Sequence, residues 1–240
     1  FLQGTIKELI RLFYFIVGLF LGSFLNVVAE RAQEDWAFSR SKCPFCEHTL
    51  SWRDLIPLLS WIFLKGRCRY CNERIPLRYP LSELAFGVSL YLATGYMQPI
   101  YAFYVMAGLC VAYVSVLTDI YEGLIYDAFT VPFALIFPLV SLFLFSFNSF
   151  VECLLGGIVA LFCSFLVVFI TKKAGQGDIT FLTFLGSWLG LRAFIRVFFI
   201  SSIFAGFIII PLLLLKKINF KSTLPLVPFL YAGTVLSFYI

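Results

Sequence analysis

The sequence predicts an all-α polytopic membrane protein, with about eight transmembrane helices and one small polar domain between the first and second of them. Three observations carry that reading. Hydrophobic residues make up 61% of the 240 and charged residues 13%, which is outside the range of a water-soluble globular domain. Apolar runs of membrane-spanning length recur to the C-terminus, and in lipid such runs must satisfy their backbone groups internally, as helices. The net charge is +5, but Lys and Arg collect between the apolar runs rather than within them, which describes membrane topology and excludes a nucleic-acid-binding surface.

The first span is expected at 12–28, and no small-residue cleavage site follows it, so it does not read as a cleaved signal. A long charged segment, 30–80, comes next. Inside it 55–64 is apolar but too short to cross a bilayer, and is expected to lie along the membrane surface or to pack on the spans. Further spans are expected at 81–96, 99–117, 128–147, 151–171, 179–191 (a short one), 197–215 and 226–240. The chain therefore divides into a first helix, 1–29, a polar domain, 30–80, and a membrane domain, 81–240.

Orientation follows from the basic residues. Arg31, Arg40, Lys42, Arg53, Lys65, Arg67, Arg69, Arg74 and Arg78 follow the first span, and strict alternation adds Lys172, Lys173, Lys216, Lys217 and Lys221 to their side. Only Lys7, Arg11, Arg192 and Arg196 fall on the other. The excess makes 30–80 cytoplasmic and leaves both termini outside.

The polar domain holds Cys43-Pro44-Phe45-Cys46 and Cys68-Arg69-Tyr70-Cys71. Each Cys-x-x-Cys places two thiolates on one tight turn, and two such turns close a tetrahedral metal site. Disulfides are disfavoured in the cytoplasm, and Lys42, Arg67 and Arg69 favour thiolates. The expectation is a small cytoplasmic zinc-binding domain. Four cysteines make a closed, structural site, with no open position for catalysis. A redox pair of the thioredoxin kind would need a βαβ context that is missing here. His48 beside the first pair is expected at the surface. Cys110, Cys153 and Cys163 lie in apolar runs and read as small buried hydrophobes.

Asp119 ends the third expected span, and Gly175-Gln176-Gly177-Asp178 opens the sixth. Alternation puts both on the cytoplasmic side, where two carboxylates at similar depth can meet across the bundle. Such a pair splits its pKa values and shares a proton. One member then takes a proton from water while the other polarises a carbonyl, the arrangement of aspartic proteases. Glycines before Asp178 supply backbone freedom. A lone juxtamembrane Asp is more commonly a solvated end or a cap. Glu122 and Asp127 compete with Asp119 in the same turn, Asp127 reading as an N-cap.

In order along nearly the whole chain, the motifs resemble those of the type IV prepilin peptidases, GxGD-type aspartic proteases that cut prepilin leaders and methylate the new N-terminus. Gly22-Ser23-Phe24-Leu25-Asn26-Val27-Val28 is similar to the family's opening motif. Stretches 40–46, 50–57 and 66–71 are similar to its zinc domain, continued by Arg78-Tyr79-Pro80 and Glu83. Asp119 falls at the first catalytic Asp, and Gly175-Gln176-Gly177-Asp178 at the second. Gly186-Ser187-Trp188-Leu189-Gly190 and the Pro-rich 224–230 follow as in the family. The chain departs from the family pattern at Tyr126 (usually Pro), Thr180 (usually Lys) and Arg31-Ala32-Gln33 (usually Arg-Leu-Pro).

The resemblance implies a multi-pass enzyme of the bacterial inner membrane that serves type IV pili or protein secretion. Its partners would be a prepilin or pseudopilin and the lipid bilayer, with no nucleic acid. Its cofactors would be structural Zn²⁺ and S-adenosylmethionine, with methylation assigned to the 30–80 region. Asn26, Arg31 and Arg40 are candidates for the cofactor site by position. Two other classes share the composition: an ion- or proton-coupled transporter relaying charge through paired Asp residues, and a non-enzymatic scaffold with a zinc-ribbon docking domain. The first predicts transmembrane flux without cleavage, the second indifference to loss of either Asp.

Overall fold

The computed structural model describes residues 2–32, 40–94, 97–171, 175–215 and 225–239. Among them the regular structure is helical: α1 (Leu2–Glu30), α2 (Leu59–Phe63), α3 (Arg78–Thr94), α4 (Pro99–Glu122), α5 (Asp127–Leu144), α6 (Phe147–Thr171), α7 (Gln176–Leu189), α8 (Leu191–Leu214) and α9 (Val227–Tyr239). A short 3₁₀ turn, Trp52–Leu55, precedes α2. Five of these helices are long and apolar enough to cross a membrane: 4–30, 99–122, 127–144, 147–166 and 191–214. The other three expected spans are present as the shorter helices α3, α7 and α9, of 17, 14 and 13 residues. At 1.5 Å per residue these reach only about 20–25 Å, against a hydrocarbon core of about 30 Å. Helix α1 starts ten residues before its expected span. Hydropathy marks lipid contact rather than helix ends, and the polar first turns carry their own support in an Arg11–Glu8 ion pair at 3.1 Å.

The chain forms two compact units, 1–106 and 107–240. In the first, α1 and α3 pack with their backbones nearly touching. A Cβ on Gly18 would lie 2.8 Å from the Cα of Gly87, and one on Gly22 would lie 3.1 Å from the Cα of Glu83. Small residues allow this approach, and the dispersion contacts that result hold helices together where lipid competes for apolar surface. The interface also buries a polar link, Asn26 Nδ2 donating to Ser82 Oγ at 2.7 Å. The expected surface helix is α2. It turns Trp61 inward, where Nε1 donates to the Ile75 carbonyl at 3.2 Å, and leaves Leu59, Ile62 and Phe63 exposed.

In the second unit α7 is the hub, in contact with α5, α6 and α8. Phe181, Phe184, Leu185 and Trp188 are fully buried along it. The Trp188 ring lies 5.8 Å from that of Phe184, 6.0 Å from Phe137 on α5 and 6.0 Å from Phe238 on α9. Its indole lies against Gly108 on α4, where any side chain would collide with it. On the far side Gly156 of α6 and Gly186 of α7 meet backbone to backbone, each occupying the space of the other's missing Cβ. The outward faces are apolar, with Phe143 84% and Phe207 76% exposed, as surfaces meant for lipid are.

The α6–α7 contact makes a direct prediction. Gly156→Leu or Gly186→Leu is expected to push α7 off α6 and to cost about 1–3 kcal/mol, read as a lowered thermal unfolding temperature in detergent. Gly206→Leu, where a Cβ meets only Ile210 at 3.9 Å, is the control and should leave stability within about 0.5 kcal/mol.

Candidate active site and metal centre

Both candidate carboxylates lie in the second unit, each at a helix N-terminus. Asp178 is in the first turn of α7, and the backbone N–H of Gly175 donates to its Oδ2 at 3.1 Å. Asp119 lies one turn before the end of α4, and the backbone N–H of Val227, the first residue of α9, donates to it. The first N–H groups of a helix have no partner within it, and its dipole favours an anion there. Asp119 thus satisfies the start of α9 from another helix. Its Oδ2 is buried and has no hydrogen-bond partner. The two carboxylates are near enough to interact electrostatically. Sequence reasoning did not reach the Val227 N–H. Pro228 behind it, a residue suited to the first turn of a helix, is the signal that marks this terminus.

The structure corrects the expected role of the glycines. Gly175 has φ −75° and ψ 161°, an extended conformation open to any residue, and a Cβ there would meet only Asp178 Oδ2, at 3.9 Å. Gly177 lies within α7 and supplies space rather than freedom. A Cβ on it would come within 2.7 Å of the Cβ of Ile125. That contact seats the 123–126 turn, which closes α4 after Asp119, against the start of α7.

The competitors of Asp119 have other partners. Asp127 lies inside the first turn of α5, with Tyr126 as the N-cap residue, so it is not itself the cap. Its Oδ1 accepts from Thr180 Oγ1 at 2.8 Å, tying α5 to α7. Glu122 accepts from the Tyr126 hydroxyl. Two positions where the chain departs from the pattern it resembles, 126 and 180, therefore meet around Asp127.

Depth can be read from the α6–α7 pairing. Glu152 lies opposite Gly190, and Gly156 and Ala160 lie opposite Gly186. Continuing this antiparallel register brings Asp178 level with 164–168, three to seven residues short of the end of α6 at Thr171. At 1.5 Å per residue Asp178 is recessed by about 5–10 Å below that end. A cleft of about 410 Å³ opens beside it, with apolar walls that include Ile179, Leu182, Phe198, Phe199 and Phe229.

In the first unit Cys43, Cys46, Cys68 and Cys71 converge, their four sulfurs all within 4.8 Å of one another. The two turns repeat one geometry. Cys43 N donates to the His48 carbonyl at 3.0 Å and Cys68 N to that of Glu73 at 2.8 Å. Isolated bridges join Lys42 to Thr49 and Arg67 to Arg74. Glu47 and Asn72, each just after the second cysteine of its pair, have φ of 55° and 61°. Tetrahedral zinc–thiolate bonds of about 2.3 Å require sulfurs about 3.8 Å apart, and Cys43 Sγ and Cys71 Sγ lie 3.9 Å apart. The donor set fits a metal of zinc's chemistry. Burial pushes the Cys43 thiol up, but the backbone N–H groups of Cys46 and Phe45, with the Cys68 and Cys46 thiols, outweigh it and bring it down to about 7. His48 is outside the cluster, exposed, its ring tilted against that of Tyr70 at 3.7 Å between centroids.

Asp54 fastens the 3₁₀ turn to the second knuckle. It accepts from Ser51 N at 3.1 Å, Ser51 Oγ at 2.7 Å, Arg69 Nε at 2.7 Å and the Tyr70 hydroxyl at 3.2 Å. Burial pushes its carboxyl up, but the bonds from Ser51 and Arg69 outweigh that and hold it below the ordinary carboxylate range.

Two of the three candidates for the cofactor site, Asn26 and Arg31, line the same cavity, below the cysteine domain. Asn26 is buried, its amide taken by Ser82. The Arg31 guanidinium donates to the Arg40 carbonyl at 3.5 Å. Arg40 is exposed and outside that cavity's lining.

Fold and site together define a helical membrane protein with a pair of carboxylates at helix ends and a four-thiol knuckle domain. Comparison with known proteins narrows the class. Residues 16–98 match the family model described as Bacterial Peptidase A24 N-terminal domain, and residues 103–210, which include Asp119 and Asp178, match that of the Type IV leader peptidase family. The chain is 34% identical to a prepilin leader peptidase/N-methyltransferase of Myxococcus xanthus (strain DK1622), over 84% of this chain and 62% of that one. It is 30% identical to one of Burkholderia pseudomallei (strain 1026b), over 92% and 82%. A third, of Aeromonas hydrophila, is 31% identical over 90% and 86%. No solved structure matches the chain at a significant level. The chain belongs to the type IV leader peptidase family.

The Asp54 network makes a pH-dependent prediction. Its folded carboxyl binds a proton less tightly than an unfolded one, so its contribution is complete above the unfolded value of about 3.9 and is lost as pH falls through the lower folded value. Asp54→Asn should cost about 1–3 kcal/mol at pH 7, measured by hydrogen exchange across 51–71. The gap between variant and wild type should close as pH falls below about 4.

Proposed function

We propose that the chain is a membrane aspartic endopeptidase that removes the basic leader of type IV prepilins or pseudopilins at the cytoplasmic face, and then methylates the new N-terminal amine. The observation that carries the peptidase reading is the buried, unpartnered Oδ2 of Asp119, within electrostatic range of Asp178. A carboxylate oxygen left without a partner in such a place costs stability, and a water donating to it or, when it carries the proton, a scissile carbonyl accepting from it would complete it.

In this mechanism one of Asp119 and Asp178 carries a proton and the other does not. The deprotonated carboxylate takes a proton from water as the water oxygen attacks the scissile carbonyl carbon. The protonated one donates to the carbonyl oxygen as it gains charge. The tetrahedral species collapses, the C–N bond breaks, and the amine leaves with the proton taken from water. The apolar cleft beside Asp178 suits the hydrophobic segment that follows a prepilin's cleavage site. S-adenosylmethionine, when bound, supplies the methyl group for the new amine.

The same reading divides the chain into a first helix (1–29), a cytoplasmic domain (30–80) holding structural Zn²⁺ on Cys43, Cys46, Cys68 and Cys71, with the methyltransferase region, and a peptidase domain (81–240). It crosses the bacterial inner membrane eight times, with the short helices α3, α7 and α9 as spans. The basic residues of 30–80 support the orientation, and the relatives' names, prepilin leader peptidase/N-methyltransferase, support the two activities.

Purified protein incubated with a prepilin-like substrate, with and without S-adenosylmethionine, should give a cleaved product, heavier by a methyl group only when the cofactor is added. Asp119→Asn and Asp178→Asn should each lower the cleavage rate by about 10²–10⁴-fold. Retained cleavage in either would sink the pair, and ion flux in place of cleavage would make the chain a transporter. For the metal, Cys43→Ser should bring bound zinc below one per chain and expose 40–76 to proteolysis.

A further inference from the structure

A cavity of the first unit lies between the inner end of α1, the cysteine domain and the start of α3. Its volume is about 190 Å³, where about 10–15 Å³ is enough for one water. Its lining combines chemistries that a structural core does not need together: the carboxylate of Glu30, the indole of Trp61, the phenol of Tyr79 and the ammonium of Lys42. Cys43 and Cys68 line it as well, so the knuckles form one of its walls.

These groups are held in place from behind. Glu30 Oε1 accepts from the Tyr79 hydroxyl at 2.6 Å and from Arg78 at 2.7 Å. Both bonds fall on one oxygen, which leaves Oε2 as an acceptor. Trp61 is fixed by its bond to the Ile75 carbonyl, and Gly66 packs against its ring. Glu83 is a positioning residue. From α3 it accepts the N–H of Leu58 at 2.9 Å, just where Leu58 adopts φ 58° to turn the chain into α2. The Trp61 helix is thereby fastened to the membrane helix that carries Tyr79.

We infer that this cavity binds the methyl donor, S-adenosylmethionine, an inference that rests on the methyltransferase part of the reading above. The ligand has four parts to satisfy, and the lining has a counterpart for each. Adenine stacks on an indole face. A sulfonium cation is favoured over aromatic rings, here Trp61 and Tyr79. A ribose diol or an α-ammonium needs a carboxylate acceptor, which Glu30 Oε2 provides. The donor's own carboxylate needs a cation, which Lys42 provides. Of the residues expected from their positions in sequence, Asn26 and Arg31 line the cavity, Asn26 with its amide bonded to Ser82, and Arg40 does not.

The test is equilibrium binding of methyl-tritiated S-adenosylmethionine to the full-length protein in detergent, with ultraviolet cross-linking and peptide mapping. The expected result is saturable binding, label within 26–31, 42–64 or 79–83, and binding weakened about tenfold or more by Glu30→Gln and by Trp61→Ala, a loss of at least one charge-assisted bond or one stacked ring. Bound zinc and thermal unfolding report whether each variant folds, and the milder Trp61→Phe and Lys42→Glu serve where one does not. Saturable binding that these variants leave unchanged, or label confined to 107–240, overturns the site while the methyltransferase reading stands. No binding together with no methylated product overturns that reading, and this inference with it.

Discussion

A helix that starts inside a membrane cannot leave its first backbone N–H groups bare, because no water is at hand to bond them. In this protein two short helices of the second unit, α7 and α9, each take a carboxylate at their first turn. Asp178 serves its own helix, α7, through the Gly175 N–H, and Asp119 reaches from α4 to the first residue of α9. The structural need and the chemical opportunity are therefore the same. Each helix terminus steadies an anion that hydrocarbon would otherwise expel, and the two termini bring the anions into electrostatic range. Capping, one reading of an Asp in the sequence alone, is what both carboxylates do here, and the proposed catalysis would use the same arrangement.

That arrangement depends on packing some distance from it. Trp188 fills the space that Gly108 leaves, and Gly186 meets the backbone of Gly156, which together hold α7 between α4 and α6. At its start α7 is set by Ile125 against Gly177 and by Thr180 on Asp127. The long apolar helices give the unit its bulk, while these small-residue contacts set its register. In the first unit the pairs Gly18–Gly87 and Gly22–Glu83 do the same for α1 and α3.

Much of this was legible in the sequence, for physical reasons. Hydropathy gave the long helices, because lipid selects for apolar residues on every exposed face. The spacing of Cys43, Cys46, Cys68 and Cys71 gave the knuckles, because thiolates that share an ion must sit on tight turns. The extent of α1 was not legible, since a helix continues past the apolar run when its polar turns can pair, as Glu8 and Arg11 do. Nor was the work of Gly177, which depends on what approaches it, Ile125, and not on its own φ. The lining of the cavity below the cysteine domain stayed hidden for a similar reason. Glu30, Lys42, Trp61 and Tyr79 come from four separate stretches, and only the fold brings them together.

The recess of Asp178 below the end of α6 sets a relation between this protein and the lipid around it. Helix α7 is about 21 Å long and turns into α8 at the single residue Gly190, so it has no slack with which to reach a more distant surface. A bilayer of ordinary thickness would bury its acidic end unless the lipid dips towards it. On the proposed function, with α7 as a span, membrane thickness becomes a variable of the chemistry. Under that proposal short acyl chains would bring water down to the carboxylate and long ones would withdraw it, so that two cells with identical copies of this chain but different fatty acids would process substrate at different rates.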